Sequence, residues 1–407
     1  MGLYILLVVA YIRPQDFYPI LATFNPARWV LIVSFIAFVA HQFISGKKWV
    51  KAGQNIALLA LLFLIFFSRL YAIDMLRWEV AAEDFLRICL AYFMIVNLVN
   101  TPRKLKLFYL FFIFINLFVG LRFYIAYKTG TAVYSGSKPG DASFGFLSNA
   151  DDLGIGMAVL MPFALIPIFY AKNIFWKGLS VLGSLAFMLA VLGTHSRAAA
   201  IGVITVFLAA ILSQMKWKRL TKNQYAIGMV IVLMLFSGFV YKYRYTLEGV
   251  YTSAQTKSDP GRVGREATWA AGRQMVKDRP ILGVGRGSYL EYWKRRYPPG
   301  EAGYQVAHNI FLEVAAELGI VGLLLFLFFA IYGVKEARSI ARRYKGKLDQ
   351  HYFYDMLFTI YIVALIAFCV NGFFITVAFY WHIYILVALF VCTKSIFLRQ
   401  IAYEKEK

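Results

Sequence analysis

Apolar stretches of about 18 to 25 residues recur along this chain, near 2–22, 27–45, 54–73, 80–100, 103–125, 152–171, 174–193, 197–213, 224–241, 308–334, 352–371 and 375–398. Each is long enough as a helix to cross roughly 30 Å of hydrocarbon. The pattern predicts about twelve transmembrane helices in a single integral membrane domain, 1–407. The first stretch is interrupted at Ile12-Arg13-Pro14-Gln15-Asp16, and the start Met1-Gly2-Leu3 has no basic n-region, so no cleavable signal peptide is expected. Two polar interruptions are long enough to hold structure of their own. The shorter, 127–152, is rich in Gly, Ser and Lys around Ser135 to Gly140 and reads as a flap or lid. The longer, 242–307, contains a helical stretch from Gly264 to Lys277, with Arg265, Trp269 and Arg273 at i, i+4 and i+8 on one face and Pro280 ending it.

Composition agrees with this pattern: 60% of the 407 residues are hydrophobic and 16% charged, too apolar for a soluble chain of this length. The net charge of +22 is mostly topological. Lys47-Lys48-Lys51, Arg103-Lys104-Lys106, Lys172 with Lys177, Lys216 to Lys222, Lys335 to Lys347 and the tail from Lys394 all fall on alternate connections. The positive-inside rule assigns these, with both termini, to the cytoplasm. Nucleic-acid binding is not needed to explain the charge. The long loop, placed outside by the same count, breaks the rule: twelve Lys and Arg against six acids. An anionic ligand or anionic lipid headgroups would explain that excess. Cys89, Cys369 and Cys392 lie within predicted spans and read as small core residues, with neither disulfide nor metal-ligand spacing.

The candidate chemistry gathers on the outward side. Arg197 sits in the sharp turn Gly193-Thr194-His195-Ser196-Arg197, where an arginine at the membrane costs about 2.5 to 3.5 kcal/mol unless partnered. Guanidinium forks suit a diphosphate because they bind it bidentately and keep their charge. Each such contact at ~4 Å and an effective dielectric of ~20 has a Coulomb energy on the order of 4 kcal/mol before desolvation. Arg197 and Arg265 are the first candidates and Arg286 a third. Gly283-Val284-Gly285-Arg286-Gly287 lacks the strand and helix of a nucleotide fingerprint and reads as a tight turn presenting Arg286 and Tyr289. His308, in Ala307-His308-Asn309 where the hydrophobic pattern resumes, is the candidate general base. His195 and His382 lie near the same face, so spacing alone does not select one base. Asp151-Asp152 opens a helix, where acids complement the dipole; paired acids could alternatively serve proton transfer or a metal. No His/Cys cluster or carboxylate constellation has ligand spacing, so metal-independent chemistry without a cofactor is expected.

Taken together, Thr194-His195-Ser196-Arg197, Arg265 with Trp269, Pro280-Ile281-Leu282-Gly283-Val284-Gly285, and Ala307-His308-Asn309-Ile310-Phe311-Leu312 followed by Glu317-Leu318-Gly319-Ile320-Val321-Gly322 resemble the O-antigen ligase and O-antigen polymerase superfamily. The resemblance covers about 190–325; a histidine beside the Ser-Arg pair departs from the common form of the first motif. It implies an all-α polytopic membrane fold like the C-type glycosyltransferases, with a helical periplasmic loop region, in the bacterial inner membrane. It further implies inverting, metal-free transfer of a glycan from undecaprenyl diphosphate to an acceptor hydroxyl at the periplasmic face. Arg197 and Arg265 would hold the diphosphate and His308 would activate the acceptor; Arg286, Trp269, Asn309 and Tyr289 are expected to contact diphosphate or glycan. The expected partners are the lipid-linked donor, lipid A-core or a growing glycan as acceptor, and membrane lipids. A ligase is the leading reading. A polymerase joining lipid-linked repeats needs the same residues, and a transporter or flippase would predict broken helices and charges near the midplane.

Overall fold

In the computed structural model, residues 1–14, 26–130, 150–216, 260–296 and 305–406 are described, with isolated positions between them. The fold is all-α and polytopic. Helix α1 is Gly2–Tyr11, α2 Pro26–Ile44, α3 Gly53–Phe67, α4 Met75–Leu98, α5 Pro102–Lys128, α6 Ala150–Tyr170, α7 Ile174–Gly193 and α8 Arg197–Lys216. The second half comprises α9 Pro260–Asp278, α10 Tyr289–Arg296, α11 Ile310–Arg343, α12 Lys345–Gln350, α13 Tyr352–Asn371 and α14 Trp381–Glu406. Among the described residues nine helices are long and apolar enough to cross a membrane.

Of the expected twelve stretches, three are not among these nine. The first is a helix of 10 residues that stops at Tyr11, just before the polar interruption, and is too short to span. The fourth, α4, has 24 residues, but Arg77, Glu79, Glu83, Asp84 and Arg87 crowd its first half. The ninth, 224–241, and the proposed flap in 127–152 lie largely outside the described residues. The helical stretch expected from Gly264 to Lys277 is present as α9, begun one turn earlier at Pro260, a residue well suited to a first helical turn.

Burial separates centre from periphery. The spans beginning at Ala150, Tyr352 and Trp381 are 83%, 72% and 78% buried, whereas that beginning at Pro26 is 17% buried and turns its apolar side chains outward. The central helices carry α8, packed on α6 and α13, and α11, packed on α3 and α9. Two polar ties close one end of the bundle. Gln54 Nε2 donates to Glu336 Oε2 at 2.8 Å, and Lys394 Nζ pairs with Glu336 Oε1 at 2.5 Å. The opposite end carries the site.

Helix α11 is broken there. Gly319 has φ 67° and ψ −171°, so Ile310–Leu318 and Ile320–Arg343 are two helical segments meeting at one non-helical residue. A break leaves carbonyls on one side and N–H groups on the other without helical partners. The loop 280–285 takes up both sets. Val284 and Gly285 N–H donate to Ala316 O and Glu317 O, each at 2.9 Å, while Ile320 N–H donates to Pro280 O at 2.9 Å and Val321 N–H to Ile281 O at 3.4 Å. Backbone runs so close to backbone that a Cβ at Gly319 would lie 2.1 Å from Ile281 O, and one at Gly283 2.4 Å from the Glu317 carbonyl carbon.

Replacing Gly319 with Ala should therefore abolish the monodisperse peak in detergent size-exclusion. The strained φ alone costs on the order of 1 to 3 kcal/mol, and the collision adds to it. Gly46, also at positive φ (57°) but with nothing within 4 Å of a Cβ, is the control. Gly46→Ala should keep the peak with a small loss of melting temperature, and equal behaviour of the two variants would contradict the role of loop 280–285 as a splint across the break in α11.

Candidate functional site

Four separate segments meet at this end. The first is the turn before α8. Thr194 and Ser196 are fully buried; the Thr194 hydroxyl donates to Val191 O at 2.7 Å and accepts from Ser196 N–H, and Ser196 Oγ accepts from Ala199 N–H at 3.3 Å, capping α8. Helix α6 presses against this turn at Gly154, where a Cβ would lie 2.6 Å from Thr194 Oγ1. The cap places Arg197 at the first position of α8, half-buried. Among the described residues it makes no hydrogen bond, ion pair or ring contact. A cation at a helix N-terminus opposes the helix dipole, so neither packing nor local electrostatics accounts for it. The same arrangement, N-terminal N–H groups with a guanidinium beside them, favours an anion.

The second segment is the His308 turn, held from three sides. His308 N–H donates to Thr376 Oγ1 at 2.8 Å, Ala307 O accepts from Trp269 Nε1 at 3.0 Å, and Ile310 N–H donates to Gly372 O at 2.8 Å. Asn309 caps α11, its Oδ1 accepting from Phe311 and Leu312 N–H at 3.0 Å each. His308 itself has φ 46°, a left-handed conformation that costs a non-glycine residue free energy. Such strain persists only where the surroundings enforce it.

Helix α9 supplies the third segment. Its Gly264–Thr268–Trp269 face lies along 305–307: a Cβ on Gly264 would lie 2.7 Å from Gln305 Nε2, and Thr268 Oγ1 donates to Val306 O at 3.1 Å. Arg265 follows Gly264 directly, so it stands beside the strand of chain that leads three residues on to His308. Helix α8 reaches the same place from the other side. Gly202 lies against Asn371, where a Cβ would sit 2.3 Å from the amide nitrogen, and the adjacent Gly372 bonds Ile310. Arg197 is five residues, or about 7.5 Å of helix, from Gly202.

The fourth segment is the splint loop, and two expectations change here. Arg286 was expected to face the diphosphate. Its guanidinium instead donates to Glu313 Oε1 at 3.2 Å and Glu317 Oε2 at 2.5 Å and lies 3.8 Å from the Phe379 ring centroid, so its charge is balanced inside the protein. Burial would lower its pKa, but the carboxylates of Glu317 and Glu313 outweigh that and leave it raised. Tyr289, expected to touch substrate, is buried; its hydroxyl donates to Thr268 O at 2.6 Å and packs α10 on α9. Burial also raises its pKa.

Residues 178–327 match the family model described as O-Antigen ligase. The chain carries an O-antigen ligase family domain. The match supports a place in the O-antigen ligase and polymerase superfamily and a function of that ligase or polymerase type. No curated protein matches the chain. The matched region holds Arg197, Arg265, Trp269, Arg286, Tyr289, His308 and Asn309.

The ligase-family domain draws on residues outside the matched stretch as well. Asp152, in the first turn of α6, accepts from the Tyr380 hydroxyl at 2.7 Å. Burial, then the Asp152 charge, raises the Tyr380 pKa, which keeps it a donor. Neither Tyr380 nor Thr376 carries a sequence signal. Glu313 and Glu317 did carry one: two acids four residues apart in an apolar helix need a cation, and Arg286 is that cation. His195 Nε2 is 2.9 Å from the Tyr127 hydroxyl.

These contacts set a contrast in stability. Arg286→Met strands two buried carboxylates and should cost about 3 to 5 kcal/mol, read as a large fall in melting temperature of the purified protein. Arg197→Ala removes no hydrogen bond or ion pair among the described residues and should stay within about 1 kcal/mol of wild type. Comparable losses would place Arg197 in the scaffold instead.

Proposed function

We propose that this protein is an O-antigen ligase-type glycosyltransferase that moves a glycan from undecaprenyl diphosphate to an acceptor hydroxyl, lipid A-core in the leading reading, at the periplasmic face. The observation that carries the reading is Arg197: half-buried, without a partner among the described residues, at a helix N-terminus, on the side of the bundle that also holds Arg265 and a left-handed His308. The Lys/Arg-rich connections near Lys47, Arg103 and Lys335 lie at the far end, which supports an outward-facing site by the positive-inside rule.

In this mechanism Arg197 and Arg265 bind the donor diphosphate bidentately. His308 takes the proton from the acceptor hydroxyl as its oxygen attacks the anomeric carbon. The bond from that carbon to the diphosphate oxygen breaks on the opposite face, its electron pair leaves with undecaprenyl diphosphate, and the anomeric configuration inverts. The arginines stabilise the negative charge that grows on the leaving group. Trp269 and Asn309 flank the base, and the architecture suits a C-type glycosyltransferase. No step calls for a metal. A polymerase would use the same groups on a lipid-linked acceptor. A transporter reading gains from the break in α11, but the ends of that break are closed by backbone and do not point into a pathway.

In a reconstituted assay with lipid-linked glycan, His308→Ala should lower turnover by about 10² to 10⁴, and Arg197→Ala and Arg265→Ala should each lower it by at least about 10². Wild-type transfer in excess chelator and an inverted linkage by NMR are expected. Full activity in both arginine variants, or activity lost to chelator and restored by a divalent ion, contradicts the mechanism.

A further inference from the structure

A groove of about 790 Å³ runs from helix α9 down the side of α11. Its walls are Phe311, Leu312, Leu323, Leu327 and Phe373, with Trp269 and Asn309 at the top where it meets the candidate site. Leu323 and Leu327 lie beyond the break, in the part of α11 apolar enough to span a membrane, so the groove extends into the level of lipid tails. At its mouth are Arg273 and Lys277, one turn apart on α9, exposed and without a partner among the described residues. An apolar trough ending in two cations at a membrane surface matches an amphiphile with a lipid tail and an anionic head.

Position on α9 separates this ligand from the donor. Arg265 is eight residues before Arg273, about 12 Å along the helix, and Trp269 stands between them with its indole bonded to Ala307, next to His308. One helix therefore presents two basic positions, with the turn that carries the candidate base docked between them. On the reading under Proposed function the donor diphosphate is met by Arg265 with Arg197; Arg273 and Lys277, a separate pair of exposed cations, suit a second anion. On the reading under Proposed function, the molecule whose hydroxyl must reach His308 is the acceptor.

We propose that this groove holds the acceptor, a phosphate-bearing glycolipid, with its tail along Leu323 and Leu327 and its phosphate at Arg273 and Lys277. Transfer then takes place between two lipids held on either side of Trp269.

The test places a photoreactive benzoylphenylalanine at Leu327 of the full chain in phosphatidylcholine vesicles, with lipid A, phosphatidylglycerol or undecaprenyl phosphate added in turn. Lipid A should be captured at least fivefold more than either other lipid, and the Arg273→Gln/Lys277→Gln pair, at exposed positions that should not disturb folding, should cut that capture at least fivefold. Equal capture of phosphatidylglycerol would make the groove an ordinary boundary-lipid site, and preferential capture of undecaprenyl phosphate would make it the donor's tail channel; either overturns the proposal. Capture needs no turnover, so its failure is distinct from loss of transfer, which bears on the mechanism at Arg197, Arg265 and His308.

Discussion

Breaking a helix within a membrane protein is permissible only where something other than lipid satisfies the freed backbone groups. The arrangement of this site follows from that constraint. Helix α11 breaks at Gly319, and the loop 280–285 supplies acceptors to Ile320 and Val321 and donors to Ala316 and Glu317. Two stretches that look independent in sequence, the glycine-rich loop and the segment from His308 to Gly322, are thus one structural unit. Gly283 and Gly319 allow the close approach of backbone to backbone.

The same loop carries Arg286, which secures the first half of the broken helix from the side by binding Glu313 and Glu317. A buried ion group of this kind is weak evidence for added stability, but its partners cannot be removed singly without leaving a charge stranded. Its effect is to fix where the short segment Ile310–Leu318 lies, and so where Asn309 and His308 begin it. The turn that carries the base candidate is then held from three sides: by the Thr376 hydroxyl at its own N–H, by the Trp269 indole at Ala307 O and by the Gly372 carbonyl at Ile310 N–H. This over-determination is what allows a histidine to remain at positive φ.

Much of this was legible in the sequence because hydropathy, charge bias and helix punctuation are local signals. The nine long apolar helices among the described residues, the helix around Trp269 and its end before Pro280 follow from periodicity and proline alone. Arg197 stood out because a lone guanidinium at a membrane needs a reason, and the structure adds that it has no internal partner among the described residues. Arg286 looked the same in sequence and proved different, because its two carboxylates lie 27 and 31 residues away and only the fold brings them to it. Tyr289 was misread for the same reason: a tyrosine near a surface loop can face ligand or core, and Thr268 decides the matter from another helix. Of the first expected stretch, the helix Gly2–Tyr11 stops at the polar interruption that the sequence shows at Arg13 to Asp16.

The central claim is that Arg197 and Arg265, from opposite sides of an O-antigen ligase family domain, grip one diphosphate. Pyrophosphate affinity of wild type, both single alanine variants and the double variant tests it most directly. Shared ligation predicts that each single variant binds at least tenfold more weakly and that the double variant departs from additivity by more than about 0.5 kcal/mol. Single variants with unchanged affinity, or losses that simply add, would contradict it.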